Sequence, residues 1–162
     1  MMRRLPSPVT VITARGAAEM RGITIGSFTS TSLEPPLISF NVEKGAQMHD
    51  VLAGAARYAV HLLGEVHAGV SDRFAIPDRT GEEQFDGLAY HLDAYGTPVL
   101  DGMLGVLHCV HYAVYEAGDH SIFVGEVVDV DEGAAGQPVL YFNRAYRRVG
   151  EAVAPPGFTV RG

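Results

Sequence analysis

RGITIGSFTSTSLEPPLISFNV, residues 21–42, joins an apolar strand to a run of hydroxyl side chains with no charge among them, then Glu34-Pro35-Pro36 and a second apolar strand. Short side chains at Thr24, Gly26 and Ser27 let a ligand approach the backbone. The hydroxyls of Thr29, Ser30, Thr31 and Ser32 offer donors to anionic or carbonyl oxygens. The stretch therefore predicts a ligand site built on strands, and a flat, anionic ligand.

Outward from this stretch the pattern stays β-rich. Pro8–Ala14 is a β-branched run that pairs as a hairpin with Gly22–Phe28, and Leu37–Val42 alternates after Pro35-Pro36. Ala46–Leu52 changes to helical spacing through Met48, Val51 and Leu52, and a strand follows at Tyr58–Leu63. Glu65–Phe74 reads as a second helix, with Val66, Val70 and Phe74 on one stripe, Arg73 beside it, and Pro77 and Gly81 ending it. Phe85–Val99 predicts one short strand around Tyr90–Leu92. The clearest element is a long hairpin, Val106–Glu116 and Ser121–Asp131, joined by Ala117-Gly118-Asp119-His120. A last strand at Val139–Phe142 leads into Asn143–Arg148, and the Pro155-Pro156-Gly157 tail is expected to pack on a partner or fray.

A chain of 162 residues with 47% hydrophobic and 9% aromatic residues fits one ordinary domain, and no repeat, linker or composition shift divides it, so 1–162 is read as a single domain. Gly 19 and Pro 9 supply the frequent turn signals of a β-rich fold. No apolar run reaches the roughly 20 residues that span a bilayer, and no leader pattern opens the chain, so a soluble, cytoplasmic protein is expected. Cys109 is the only cysteine, which excludes an intrachain disulfide. The formal net charge of -7, with Lys44 the only lysine, argues against nucleic acid as a partner. Phosphate esters would have to be met locally, by Lys44, Arg57, Arg73, Arg144, Arg147 or Arg148.

Several chemistries are excluded by missing motifs. The chain has no Gly-x-Gly-x-x-Gly, no Gly-Lys of a phosphate loop, and no Gly-x-Ser-x-Gly elbow. His108, Cys109 and His111 lie close in sequence, but strand alternation sends His108 to one face and the other two to the opposite one. No metal is therefore expected. His120, at the hairpin tip, is the residue whose turn can aim an imidazole at a ligand.

These segments together resemble the flavin reductase-like family of FMN-binding split barrels. The resemblance runs through Leu5–Thr13, Gly22–Leu37, Val70–Ala75, Gly118–Val127 and Pro138–Arg147. Two departures stand out: few residues precede Pro6, and the family's frequent Thr-Ala-Asn-Ser is Thr24-Ile25-Gly26-Ser27, without the amide.

The resemblance implies a mainly β fold with a few short helices, a six-stranded Greek-key split β-barrel, homodimeric. It implies FMN or FAD as flavin and NADH or NADPH as hydride donor, with reduced flavin supplied to a partner monooxygenase. The alternatives are a flavoprotein that retains its FMN and a flavin-binding module without turnover. Backbone N–H groups along Thr24, Ile25, Gly26 and Ser27 would face the pyrimidine carbonyls, and Ser30, Ser32, Lys44 and Arg73 the phosphate, with Thr29 also in the cofactor site. Asn41, Phe74, Tyr146 and Arg147 complete the implied cofactor site, with Tyr146 and Arg147 flanking the opening of His120. The family associates that histidine with the nicotinamide or the reduced flavin, which makes His120 the implied catalytic residue.

Overall fold

A computed structural model describes residues 2–133 and 135–153, so the expected behaviour of Pro155-Pro156-Gly157 lies outside the described residues. After a 3-10 turn at Met2–Arg4 come β1 (Ser7–Pro8), β2 (Thr10–Arg15), β3 (Met20–Ile25), β4 (Thr29–Leu33) and β5 (Pro36–Glu43). Then follow α1 (Gln47–Gly54), β6 (Arg57–Leu62), a 3-10 turn at Glu65–His67, α2 (Ala68–Ala75) and α3 (Gly81–Phe85). The chain continues through β7 (Tyr90–Leu92), β8 (Pro98–Leu100), β9 (Gly105–Ala117), β10 (His120–Glu132), β11 (Val139–Phe142) and β12 (Ala145–Arg148).

The main sheet has seven antiparallel strands in the order β3-β2-β6-β9-β10-β5-β4. Backbone pairing does not close this sheet into a barrel. The hydroxyl run Thr29–Leu33 adds an edge strand to β5, and the end strands β3 and β4 share no ladder. A side chain spans the gap instead: Ser27 Oγ, just beyond β3, accepts from Asn41 N–H of β5 at 2.9 Å. That bond serves a backbone donor that β4 leaves unpaired, because the β4–β5 register stops at Thr29↔Ser39.

Strand β2 is buried on both faces, as its β-branched sequence requires. Its Ile12 and Ala14 face a cluster with Phe40, Leu52, Tyr58 and Phe123, and Val11 faces a second with Leu63, Phe74, Phe85 and Leu100. The hairpin β9–β10 has thirteen residues per strand and turns at Gly118, whose φ of +67° a side chain would resist. Register shifts after Val124 and after Val127 bend it across the core.

Several elements differ from the sequence reading, among them β4 in the hydroxyl run and α3 beginning at Gly81. The expected helix Glu65–Phe74 is a 3-10 turn followed by α2, because His67 Nδ1 accepts from Gly64 N–H at 3.0 Å and closes the first turn separately. Val66 consequently stands 81% exposed, and the buried stripe is Val70 and Phe74 alone. Phe85–Val99 holds two short paired strands, β7 and β8, rather than one. Asn143 and Arg144, both at positive φ, turn the last strand into a hairpin, β11–β12, that pairs with β1 in a separate three-stranded sheet.

Candidate functional site

His120 opens β10, paired with Glu43 of β5 and Ala117 of β9, so both neighbouring strands hold it in register. Its Nδ1 lies 2.7 Å from Asp119 Oδ1, and the ring beside it lowers the Asp119 carboxyl below its ordinary pKa. With Nδ1–H donated to that carboxylate, Nε2 is the nitrogen left without a protein partner among the described residues. The ring borders a hollow of about 350 Å3 shared with Ser27, Asn41, Ala117 and Ile122.

Lys44 joins the same tip. Its N–H donates to the Asp119 carbonyl at 2.9 Å, and its ammonium lies 3.5 Å from Glu116 Oε2. That ion pair is largely exposed, so the ammonium can exchange partners at little cost.

On the other side of Gly26 lies a second hollow, of about 320 Å3, between β3, α2 and the three-stranded sheet. Tyr146 Oη donates to Asp72 Oδ1 at 2.7 Å and lies 2.8 Å from Ser71 Oγ. Burial raises the pKa of this phenol, so it remains a donor. Thr24 Oγ1 donates to the Ser71 carbonyl at 2.6 Å, which ties β3 to α2 and commits that hydroxyl.

The structure thus brings Ser27, Asn41, Lys44 and His120 together, and places Thr24, Ile25 and Gly26 on the wall of the second hollow. Ile25 is 5% exposed, and Thr10, its ladder partner on β2, donates its hydroxyl to the Ile25 carbonyl at 2.9 Å. Thr29 and Ser30 are exposed and Ser32 half-buried on the edge strand β4. Phe74 lines neither of these two hollows. It is 2% exposed, packs edge-on to Phe85, and fills the space left by Gly22, where a Cβ would come within 2.6 Å of its ring.

Arg73 donates to the Asp86 carbonyl and lines neither hollow. Tyr146 lines the second hollow rather than that of His120. Arg147, its neighbour on β12, takes the opposite face by strand alternation, so the two do not flank one opening. Cys109 is buried, its thiol pushed up to about 12 by burial, and His108 bonds Asp131 at 2.8 Å.

Residues the sequence did not single out also shape the region. Gln84 bonds both backbone groups of Gly22 at 3.0 Å, acting as a surrogate strand on the edge of β3. Arg21, 5% exposed, donates to Glu19 and to the Arg79 carbonyl, each at 2.9 Å. Glu19 also accepts from Gly81 N–H, the main cause of its lowered pKa. A lone Gln and a Glu-x-Arg carry no sequence signal of such roles. Ser71 and Asp72 were within reach, since they adjoin the arginine that drew attention.

Residues 2–150 match the family model described as flavin reductase like domain, and the chain belongs to that family. It is 40% identical over 148 residues to the reductase component of 4-hydroxyphenylacetate 3-monooxygenase of Thermus thermophilus, covering 91% of this chain and 92% of that one. It is 36% identical over 164 residues to actinorhodin polyketide dimerase of Streptomyces coelicolor, covering 99% of this chain and 90% of that protein. Among solved structures, the NADH:FAD oxidoreductase SgcE6 of Streptomyces globisporus, in complex with NAD and FAD fragments, superposes with a TM-score of 0.84. It is 35% identical, with 92% of this chain and 88% of that one covered.

Proposed function

We propose that this chain is an NAD(P)H-dependent flavin reductase, acting on FMN or FAD and supplying reduced flavin to a partner monooxygenase. The observation that carries the reading is the donor set of the His120 hollow: a histidine, an amide and a hydroxyl line it with two apolar side chains, and no carboxylate does. Such a wall fits the carbonyl edge of a ring on which negative charge develops. The residues therefore fit a flavin.

A bound flavin would supply N5 as the acceptor for a hydride from C4 of a nicotinamide. The chain's own part is positioning. Backbone N–H groups of Thr24 to Ser27 and the Asn41 amide orient the ring, and His120 Nε2 stands ready at the edge where charge arrives. Ser30, Ser32 and Lys44 hold the phosphate, and Arg73 reaches it by giving up the Asp86 carbonyl. No side chain becomes a nucleophile, so rate comes from orientation and exclusion of water.

The chain forms one flavin-binding domain, works as a cytoplasmic homodimer, and completes a split barrel around this cleft. No helix among the described residues is long and apolar enough to cross a membrane. Tyr112, Val114, Tyr115, Val128 and Val130 lie exposed on β9–β10, apolar surface that a second copy would cover. Light scattering is expected to give twice the mass of 17.3 kDa. A monomer that binds FMN equally well would remove the dimer from this reading.

Turnover is tested with purified protein, NADH or NADPH, and FMN in large excess, followed at the flavin band without oxygen. Bleaching of many flavins per chain is expected. Bleaching of one bound flavin per chain would favour the second reading, a flavoprotein that keeps FMN for its own substrate. The 36% identity to a protein named for polyketide dimerisation is what keeps that reading in view.

A further inference from the structure

We propose that the outer face of the three-stranded sheet β1-β11-β12, with the arginines at its turn, docks an acidic surface of a partner protein. This face shares no residue with the hollow beside His120 and owes nothing to the reductase reading.

Charge is segregated in this chain. Residues 2–8 and 139–148 hold Arg3, Arg4, Arg144, Arg147 and Arg148 and no acid, while the rest carries all 19 Asp and Glu. The two segments meet in one place: Ser7 and Pro8 pair with Tyr141 and Leu140, and Asn143 N–H donates to the Arg3 carbonyl at 2.9 Å. Arg148 pairs with Glu65 at 2.6 Å, whereas Arg3, Arg4, Arg144 and Arg147 are exposed and make no ion pair among the described residues. Arg144 stands at φ +63°, a left-handed conformation that glycine adopts freely and arginine at a cost. A cation is thus held where the backbone alone would favour glycine.

The strands add apolar area beside this charge. Alternation sends Val139, Tyr141 and Tyr146 toward the core and the second hollow, and Leu140, Phe142, Ala145 and Arg147 to the opposite face. Leu140 is half-buried and Phe142 is 38% exposed, and neither packs into a buried cluster. Leu5, between the first two arginines and β1, is 60% exposed. An aromatic ring and arginines around apolar side chains are the composition enriched where proteins meet.

Charge also selects the occupant. A chain of net charge -7 repels an acidic partner as a whole, so a local cluster of unpaired arginines decides where such a partner lands and in which orientation. Nucleic acid fits worse. Arg3, Arg4, Arg144 and Arg147 would neutralise few phosphates, the acids elsewhere repel the polymer, and Leu140 and Phe142 find no match on a phosphate backbone. Strands of two to four residues offer a small area, which makes the contact a transient one that salt weakens.

The test is calorimetric titration with a synthetic peptide of Glu-Glu-Leu repeats as the probe, against the wild type, the double variant Arg144→Gly/Arg147→Ser, and Phe142→Ser. Arg144→Gly relieves the backbone while removing the cation, and both arginines are exposed, so the fold of the double variant is secure. The wild type is expected to bind the peptide, and the double variant to bind it about tenfold more weakly, the scale of two exposed ion pairs. Salt should weaken the wild type more steeply than the double variant. Phe142→Ser should also bind more weakly, with the salt dependence of the wild type. Replacing Glu by Gln in the peptide should cost the wild type a similar factor and the double variant little. No peptide binding, equal affinity in the wild type and the double variant, or equal affinity of the wild type for the Glu and Gln peptides overturns the docking surface. Tighter binding of a short duplex DNA than of the Glu peptide overturns the protein partner and makes the face a phosphate site.

Discussion

His120→Ala is expected to slow reduction of FMN by saturating NAD(P)H by roughly a hundredfold, the lower range for a positioned proton donor or charge-stabilising group. Affinity for oxidised FMN should stay within a few-fold, because Asn41, Ser27, Lys44 and the backbone of Thr24 to Ser27 are on other segments. The direction follows from geometry. Asp119 takes the Nδ1–H at 2.7 Å, so Nε2 is the nitrogen that can serve the ligand. Asp119→Asn should give a smaller loss, since an amide holds the ring but cannot stabilise its protonated form. Stopped-flow reduction followed at the flavin band separates rate from affinity. An unchanged limiting rate in His120→Ala would leave His120 an ordinary turn residue.

Much of the framework was legible because it rests on local patterns. Alternation marked β9 and β10, the Gly118-Asp119 turn placed His120 at their tip, and Pro35-Pro36 marked the start of β5. What was not legible depends on partners far apart in the chain. Phe74 seemed a ligand contact beside Arg73, but a glycine in β3 makes room for its ring in the core. Tyr146 and Arg147 are adjacent in sequence and so face opposite ways on a strand, a parity visible only once Asn143 and Arg144 define β12. At Arg73 the guanidinium meets the Asp86 carbonyl, a main-chain partner that no charge pattern marks. The contribution of Ser27 was half foreseen: its hydroxyl lines the hollow while also serving a backbone donor across the open edge of the sheet.

Acid should weaken the fold through His61, which no sequence pattern marks. The ring is fully buried: Nδ1 donates to the Val11 carbonyl at 2.9 Å, and Nε2 accepts from Leu100 N–H at 2.9 Å. It joins β6, β2 and β8 only when neutral, since a proton on Nε2 would face the amide hydrogen. Burial lowers its pKa to about 4; the Val11 bond opposes the shift, and His108 and His91 add to it. In the unfolded chain the ring titrates near 6.5, so the unfolded state binds the extra proton first as pH falls. The stabilisation is complete above about pH 6.5, falls between there and about 4, and is absent below, a loss of roughly 3 kcal/mol in all. Carboxylates with lowered pKa, such as Glu19, add their own loss at the acid end of this range. His61→Gln separates the two. Its denaturation midpoint should be lower at neutral pH but nearly flat from pH 6.5 to 5, where the wild type declines. Proton NMR titration of the wild-type His61 ring gives a second reading. A midpoint near 6.5 in the folded protein, or parallel stability profiles for the two proteins, would show that this histidine does not set the acid limit.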